Sequence, residues 1–484
     1  MKKIMGITFA LICSVICMVA FISCKKDAER YSRYEIIAEY VPETKTLAGV
    51  VKFTFENVTD NEFSVLKFQM YPNAYRENAL YTPVPAIKES EAYYAGESYG
   101  EMVISSVQGS KNWEIMGEDE NILCVFLERP LFPGEKVVLD IGFMTKLANV
   151  NHRTGITSKT VNLGNFFPIL CGIQNGDFIE TPYYSEGDPF YSECADYSVK
   201  LTTPKEYTVA STGIIASERI LESKKEYTMS AMNVRDFAMV LSADYRIISA
   251  ETNGKTLSYY YYEEEAPHKI LELMQESFSF YEKTFGEYPY EEYALAQTGL
   301  CLDGAEYPCL SFLSDKLTGT AKICAIAHEV AHQWWYGVVG SNPLDNAWQD
   351  EGLADYSALA FFENYEKYEI TREGMVKNAM AEYRSYYDVY GSVLGRTDTR
   401  MTRNLREYIS DYEYQCLSHD KAVIMFDTLR KSVGDDKFFL ALKKYYKTCM
   451  YKQATVGDLI GSFEKSGLDV SGFFESFLEG KAIL

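Results

Sequence analysis

Two histidines four residues apart, His328 and His332, are best placed by type and spacing to do chemistry. On a helix, residues four apart lie on the same face, one turn above the other. Their imidazole nitrogens can therefore bind one tetrahedral zinc ion together. Glu329 lies at the edge of that face, off the metal but within reach of a water on it, as a general base must. The sequence therefore predicts a catalytic site with one Zn²⁺ per chain.

The two histidines need a third partner, because a catalytic zinc ion has three protein ligands and one open position. The chain has five histidines, and the other three, His152, His268 and His419, are far away in the sequence. A nearby carboxylate is the better candidate, and Glu351 stands nineteen residues after His332. Histidines at this spacing also occur on helices that only pack or face solvent, but with so few histidines a chance HExxH is rare. We predict Glu351 as the third ligand.

The residues around this site resemble peptidase family M1, the zinc aminopeptidases of the gluzincin clan. The family pattern is HExxH, eighteen residues and Glu, and here residues 333–350 are the eighteen. Gln333 and Trp334 are similar to the end of the family's HQW, and the stretch from Trp348 to Gly352 is similar to its W-x-x-E-G. The resemblance implies a zinc-dependent enzyme that removes N-terminal residues from peptides.

A segment before the HExxH motif resembles the family's G-x-M-E-N, which some bacterial members write as GGMEYP. Here Asp303 stands for the first Gly and Ala305 for the Met, while Glu306 is kept. The resemblance implies that Glu306 binds the free α-amino group of the substrate, with Gly304 and Ala305 as neighbouring substrate-binding residues. A carboxylate there can pair with an ammonium ion and fix which peptide bond reaches the metal. An ordinary exposed glutamate is the alternative.

Asp355 stands four residues after Glu351, so the two would share a helix face. The arrangement is similar to thermolysin, where such an aspartate accepts the far N–H of a zinc histidine and fixes its tautomer. A surface acid is the alternative.

The clearest departure from the family lies at His419. Family members carry a tyrosine there, whose hydroxyl stabilises the oxyanion. An imidazole N–H can also donate to an oxyanion, so His419 is one candidate for that role. Tyr414 or Tyr412 can fill the place if the loop is shifted. A plain surface histidine, or a site that binds zinc but turns over poorly, is the remaining alternative.

The elements that must position these residues change character near residue 248. From about residue 30 to 247 the sequence predicts β-structure: Tyr197, Val199 and Leu201 alternate with polar residues, and residues 122–127 form an unbroken apolar run. Beyond that, apolar residues recur every three or four positions, first over residues 270–285. Further helices are predicted around residues 319–338, 348–366 and 420–447.

We therefore predict an α+β fold with two domains after a leader. The resemblance implies that residues 25–247 form a saddle-like N-terminal β-sheet domain and residues 248–484 a thermolysin-like, mainly helical peptidase domain. The large helical domain that many family members carry afterwards has no residues here, so a short form is expected.

Residues 1–24 are typical of a targeting segment, since Lys2 and Lys3 precede an almost wholly apolar stretch. Residues 21–24 resemble a loose lipobox, which implies lipid attachment at Cys24. The alternative is an uncleaved membrane anchor, because about twenty apolar residues can span a bilayer. We expect an exported protein, at the cell surface or anchored to the membrane.

Composition excludes other classes of protein. The net charge of −22 argues against a nucleic-acid partner, whose phosphates would be repelled. The eight cysteines beyond residue 24 include no CxxC pair, which excludes a cysteine zinc site and a disulfide framework. A bond between Cys301 and Cys309 is possible, and free buried thiols are the alternative.

The sequence thus predicts an exported zinc aminopeptidase that acts on peptides with a free N-terminus. One alternative is a zinc endopeptidase of the same fold, which needs no amine anchor. The other, suggested by His419, is a catalytically weak peptide-binding surface protein. The side-chain preference and the oligomeric state depend on surfaces that the sequence does not reveal.

Overall fold

Strands with alternating buried and exposed side chains build the amino-terminal half. In the computed structural model, which describes residues 32–395, 397–482 and 484, Ala195–Pro204 buries every second residue, as the predicted period of two requires. The apolar run at residue 122 begins the strand Ile122–Leu131, whose first four residues are all buried. Residues 1–24, with Cys24, lie outside the described residues, so export and lipid attachment stay predictions.

The strands of this half form three sheets and a short ribbon. In the largest sheet, Ser32–Val41 pairs in parallel with Ala195–Pro204, while its other strand pairs are antiparallel. That sheet has the order Ile214–Leu221, Lys224–Val234, Ala195–Pro204, Ser32–Val41, Thr46–Glu56, Lys136–Lys146, Glu101–Gln108. One four-stranded sheet has the order Ile169–Leu170, Phe63–Gln69, Ile122–Leu131, Asn112–Met116. The other four-stranded sheet has the order Thr208–Ser211, Met239–Ser242, Val161–Leu163, Thr154–Ile156. The ribbon pairs Ile173–Gln174 with Asp177–Phe178.

A five-stranded sheet opens the second half. Its order is Arg246–Thr252, Lys255–Tyr261, Glu292–Thr298, Leu310–Ser314 and Gly304–Tyr307. The last of these strands lies at the edge of the sheet, antiparallel to its neighbour. The sheet therefore presents the segment that carries Glu306 along an open border.

Helices form the rest of this half, as the apolar periodicity predicted. The helix predicted over residues 420–447 is two helices, because Gly434 has a φ of +85° that an α-helix cannot hold. The helices are Pro267–Phe285, Gly319–Ala331, Pro343–Asn346, Glu351–Glu363, Arg372–Leu394, Asp411–Tyr414, Lys421–Val433, Asp435–Cys449, Val456–Glu464 and Ser471–Leu478, with Glu89–Ala92 in the first half. Short 3₁₀ turns cover Tyr71–Tyr75, Ala86–Lys88, Ala347–Gln349, Glu366–Tyr368 and Leu405–Glu407, and Gln415–Asp420 is π-helical.

The part of the chain that the structure describes contains eight cysteines. Its eight cysteines are free, and all but Cys324 are buried. The possible bond between Cys301 and Cys309 is therefore not formed. No helix within the described ranges is both long and apolar enough to cross a membrane.

Candidate active site

Two helices bring the three predicted zinc ligands to one point. The HExxH segment ends the helix Gly319–Ala331, with His332 at its carboxyl cap. The Nε2 atoms of His328 and His332 are 2.8 Å apart. Glu351, the first residue of the next long helix, places Oε2 3.3 Å from Nε2 of His328 and 3.2 Å from Nε2 of His332. All three side chains are at least four-fifths buried.

The hydrogen bonds of these histidines orient both Nε2 atoms to bind a cation between them. Nδ1 of His332 donates to the carbonyl oxygen of Trp335 at 2.9 Å, and Nδ1 of His328 donates to Asp355 Oδ1 at 2.7 Å. Because these acceptors carry no proton, each histidine has its N–H at Nδ1, and in its neutral form it keeps a lone pair at Nε2. Two lone pairs and a carboxylate then converge in a buried space, which is repulsive without a positive ion. Ligand atoms of tetrahedral zinc lie roughly 3.3 Å apart, so the set fits this metal.

Asp355 is shared between two imidazoles. Its Oδ1 accepts from His328, and its Oδ2 accepts from Nδ1 of His419 at 2.9 Å. Burial disfavours the charged carboxylate, but His328 and His419 outweigh it and hold the pKa of Asp355 below its usual range. The carboxylate therefore stays ionised and fixes the tautomer of His328, as the likeness to thermolysin implied.

Replacing Asp355 by Asn should weaken zinc binding about 10- to 100-fold, because the amide loses the charge that holds His328. Zinc affinity is measured by competition with a chromophoric chelator. Asp427→Asn is the control, since Asp427 is a buried acid that bonds to Arg372, not to a histidine. Equal zinc affinity in the Asp355 and Asp427 variants would contradict this role.

Glu329 is buried beside the triad with one oxygen free. Its Oε2 makes no hydrogen bond within residues 32–395, 397–482 and 484. Burial raises the pKa of Glu329 to about 7, against the opposing effect of His332 and His328. The edge strand comes so close that a Cβ at Gly304 would lie 1.9 Å from Glu329 Oε1. A side chain at residue 304 would therefore displace the carboxylate of Glu329.

The edge strand also carries Glu306 into the cleft. Glu306 is 5% exposed, which excludes the alternative of an ordinary surface glutamate. Successive side chains of a strand point to opposite faces, so Gly304 and Glu306 face the cleft. Ala305, predicted beside them as a substrate-binding residue, points instead into the apolar core and is fully buried.

Tyr414 and His419 both line the cleft. Tyr414 is 3% exposed, and its hydroxyl donates to Glu351 Oε1 at 3.3 Å. Nε2 of His419 lies 3.9 Å from Glu351 Oε2 and has no hydrogen-bond partner in the described chain. Tyr412 is 40% exposed and bonds to Glu382 at the surface. The tyrosine hydroxyl beside the triad is therefore that of Tyr414.

These groups surround one cavity of about 490 Å³, a size typical of ligand pockets. It is lined from both halves of the chain, by Arg153 and Asp188 as well as by the residues above. A zinc triad, a buried carboxylate with a free oxygen and a second buried carboxylate thus share one cleft. Residues 270–477 match the family model named Peptidase family M1 domain. The chain carries a peptidase family M1 domain.

The M1 domain also has curated relatives. Aminopeptidase N of Haemonchus contortus is 26% identical over 154 residues, and aminopeptidase N of Lactococcus lactis subsp. lactis is 25% identical over 168 residues. These matches cover 30% and 32% of this chain but 15% and 18% of the relatives. The matched part of the chain thus spans less than a fifth of the length of either relative.

Solved M1 structures share the fold over nearly the whole chain. An M1 zinc metallopeptidase from Deinococcus radiodurans is 18% identical, with a TM-score of 0.63, covering 94% of this chain and 95% of its own. A two-domain M1 zinc metallopeptidase bound to L-arginine is 17% identical, with a TM-score of 0.64 and the same coverage. These likenesses confirm the predicted α+β fold, in which a β-rich domain precedes a mainly helical one.

A π-helical turn explains how the M1 domain brings Tyr414 and His419 to one cleft. Asp411–Tyr414 runs into the π-helical segment Gln415–Asp420, whose hydrogen bonds join residues five apart. Tyr414 and His419 are five apart, and their ring centroids are 5.6 Å apart. No pattern in the sequence predicts such a turn, so the two residues could only be proposed as alternatives.

Two residues of the cleft escaped prediction. Arg153 and Asp188 come from the β half, more than a hundred residues before Glu306. Gly187 and Asp188 resemble a stretch of the family's β-domain, but that resemblance implies no chemical role, and no motif marks Arg153. Nη2 of Arg153 donates to Asp188, and its Nη1 lies 3.6 Å from Glu306 Oε2.

Proposed function

We propose that the protein is a zinc aminopeptidase that removes N-terminal residues from peptides. The observation that carries this proposal is Glu306, a buried carboxylate facing the same cleft as the zinc triad and Glu329. A carboxylate in that position binds an ammonium ion and sets the first peptide bond at the reacting centre. The M1 domain and the relatives called aminopeptidase N support the reaction class. We include export and membrane attachment on the strength of residues 1–24 alone.

In the proposed reaction each residue acts at a defined atom. His328, His332 and Glu351 would hold the zinc ion, which when bound polarises the scissile carbonyl and acidifies a water. Oε2 of Glu329 accepts the proton of the attacking water and delivers it to the nitrogen of the leaving amine. The hydroxyl of Tyr414 donates to the carbonyl oxygen as negative charge develops there.

Paired peptides with free and acetylated N-termini test the proposal, on the zinc-loaded protein from Lys25 onward. We expect release of the first residue from free peptides only. Glu306→Ala should lower kcat/KM at least 100-fold, because the ammonium loses its charged partner. Internal cleavage of acetylated peptides, unaffected by Glu306→Ala, would establish the endopeptidase alternative. Binding without any cleavage would favour the peptide-binding alternative.

Tyr414→Phe should lower kcat about 100- to 1000-fold with unchanged zinc content, because one oxyanion donor is removed. Tyr412→Phe is the matched control, since Tyr412 lies outside the cleft, and it should leave kcat unchanged. Steady-state kinetics on a free tripeptide gives both values. Near-normal turnover in Tyr414→Phe, together with its loss in His419→Gln, would assign the donor role to His419.

A further inference from the structure

Three charged side chains meet in the cleft where Glu306 faces it. The side chains of Arg153, Asp188 and Glu306 are each less than a tenth exposed. Nη2 of Arg153 donates to Asp188 Oδ1. Its Nη1 stays 3.6 Å from Glu306 Oε2 and makes no hydrogen bond with any described residue. The guanidinium is therefore bound to Asp188 and only near Glu306.

The count of charges has a consequence for any ligand. When both carboxylates are ionised, they and the one guanidinium leave one negative charge, and an unbalanced buried charge is unfavourable. One ammonium ion balances it. If Asp188 were absent, Arg153 and Glu306 would neutralise each other, and an incoming amine would have to displace a guanidinium that forms bidentate bonds with carboxylates.

The loop that carries Asp188 is held in this place by packing. Gly187 has a φ of +73°, and a Cβ there would lie 2.6 Å from Cε2 of Tyr414. The guanidinium of Arg153 lies 5.4 Å from the ring centroid of Phe190, over its face. The Asp188–Arg153 pair is thus fixed from the β half against the helix that carries Tyr414.

The electrostatics of the carboxylates agree with an open cation site. Burial raises the pKa of both Asp188 and Glu306, and Arg153 opposes that rise in both. Repulsion adds to this rise, since Glu306 raises the pKa of Asp188 and Glu351 raises the pKa of both, while His332 lowers that of Glu306. A guanidinium only donates, so its hydrogen bond favours the ionised form of Asp188 against the effect of burial. An ammonium ion would relieve the remaining repulsion.

We propose that Asp188 is a positioning residue of the amine site, which binds Arg153 and so leaves Glu306 free to accept one substrate ammonium. This inference rests on the proposed aminopeptidase function and deepens it. Asp188 and Arg153 together set the charge of the site at minus one. The site therefore selects a single free amine, although Arg153 stands within 4 Å of the anchor carboxylate.

Equilibrium binding tests this role without turnover. On a zinc-loaded Glu329→Gln background, calorimetry compares trialanine with N-acetyl-trialanine. We expect the background protein to bind the free peptide more tightly than the acetylated one. In Asp188→Asn the ratio of the two affinities should fall at least tenfold, because Arg153 moves onto Glu306. The double variant Asp188→Asn with Arg153→Met should regain it. A merely structural role would not give that recovery.

Three further results decide the matter. A preference kept in Asp188→Asn, or lost equally in the single and double variants, overturns the proposal. Arg153→Met alone should keep at least the background preference, and a loss there overturns it even where Asp188→Asn does not fold. Asp427→Asn, another buried acid bonded to an arginine, should change nothing. If the proposed aminopeptidase function is wrong, the protein without substitutions will not cleave free peptides, a result that is separate from these binding measurements.

Discussion

Glu329→Gln should lower kcat about 1000-fold or more while zinc content and peptide affinity stay near those of the unvaried protein. The amide has the shape of the carboxylate but cannot accept a proton, and general acid–base catalysis contributes about 10²- to 10⁴-fold. Glu329 directly follows the ligand His328 in the sequence, and its Oε2 is free to accept the proton of the attacking water. Steady-state kinetics on a free tripeptide, with metal analysis of the same samples, checks the result.

Glu287→Gln serves as the matched control, because Glu287 is 85% exposed and outside the cleft. It should retain full turnover. A Glu329→Gln protein with more than a tenth of normal kcat would place the proton acceptor on another carboxylate of the cleft.

His332→Ala should abolish turnover and zinc binding together, an effect that added zinc does not reverse. The unvaried protein, stripped by a chelator, should instead regain activity when zinc is returned. The difference follows from the geometry: Nε2 of His332 lies within 3.2 Å of both other ligand atoms, so its loss leaves two of the three donors. Zinc content and activity before and after metal addition give the measurement.

Thermal unfolding adds a second reading of the same variant. A ligand bound only to the folded state at about 1000 times its Kd stabilises by about 4 kcal/mol. Excess zinc should therefore raise the melting temperature of the unvaried protein and of His268→Ala, whose exposed imidazole is the control. A zinc-dependent rise in His332→Ala would show that the metal binds elsewhere.

The zinc centre was predictable because its information is local. Four-residue spacing on a helix fixes two ligands, and the next long helix supplies Glu351 and Asp355 one turn apart. The alternation of side chains along a strand could have predicted that Ala305 points away from the cleft. The motif alone does not show which of its residues face the cleft. The pair formed by Arg153 and Asp188 depends on how a loop of the β half meets Tyr414, which no spacing encodes.

Helix boundaries show the same limit. The predicted helix over residues 319–338 ends at Ala331, because the chain turns there and Trp334 and Trp335 pack into the core. Because the apolar periodicity continues through this turn, the sequence pattern does not show where the helix ends. The π-helical turn after Tyr414 is hidden for the same reason, since one extra residue per turn changes the facing of side chains and not their types.

The carboxylate of Asp355 couples two histidines, because each of its oxygens accepts a hydrogen bond from one of them. His328 and His419 each hold one oxygen of that group, so removing either imidazole frees the carboxylate to turn toward the other. Substitutions at Asp355 and His419 should therefore be non-additive in a double-mutant cycle on zinc affinity, although His419 is not a ligand. The effect of a substitution at residue 419 on zinc affinity would then depend on which residue occupies position 355.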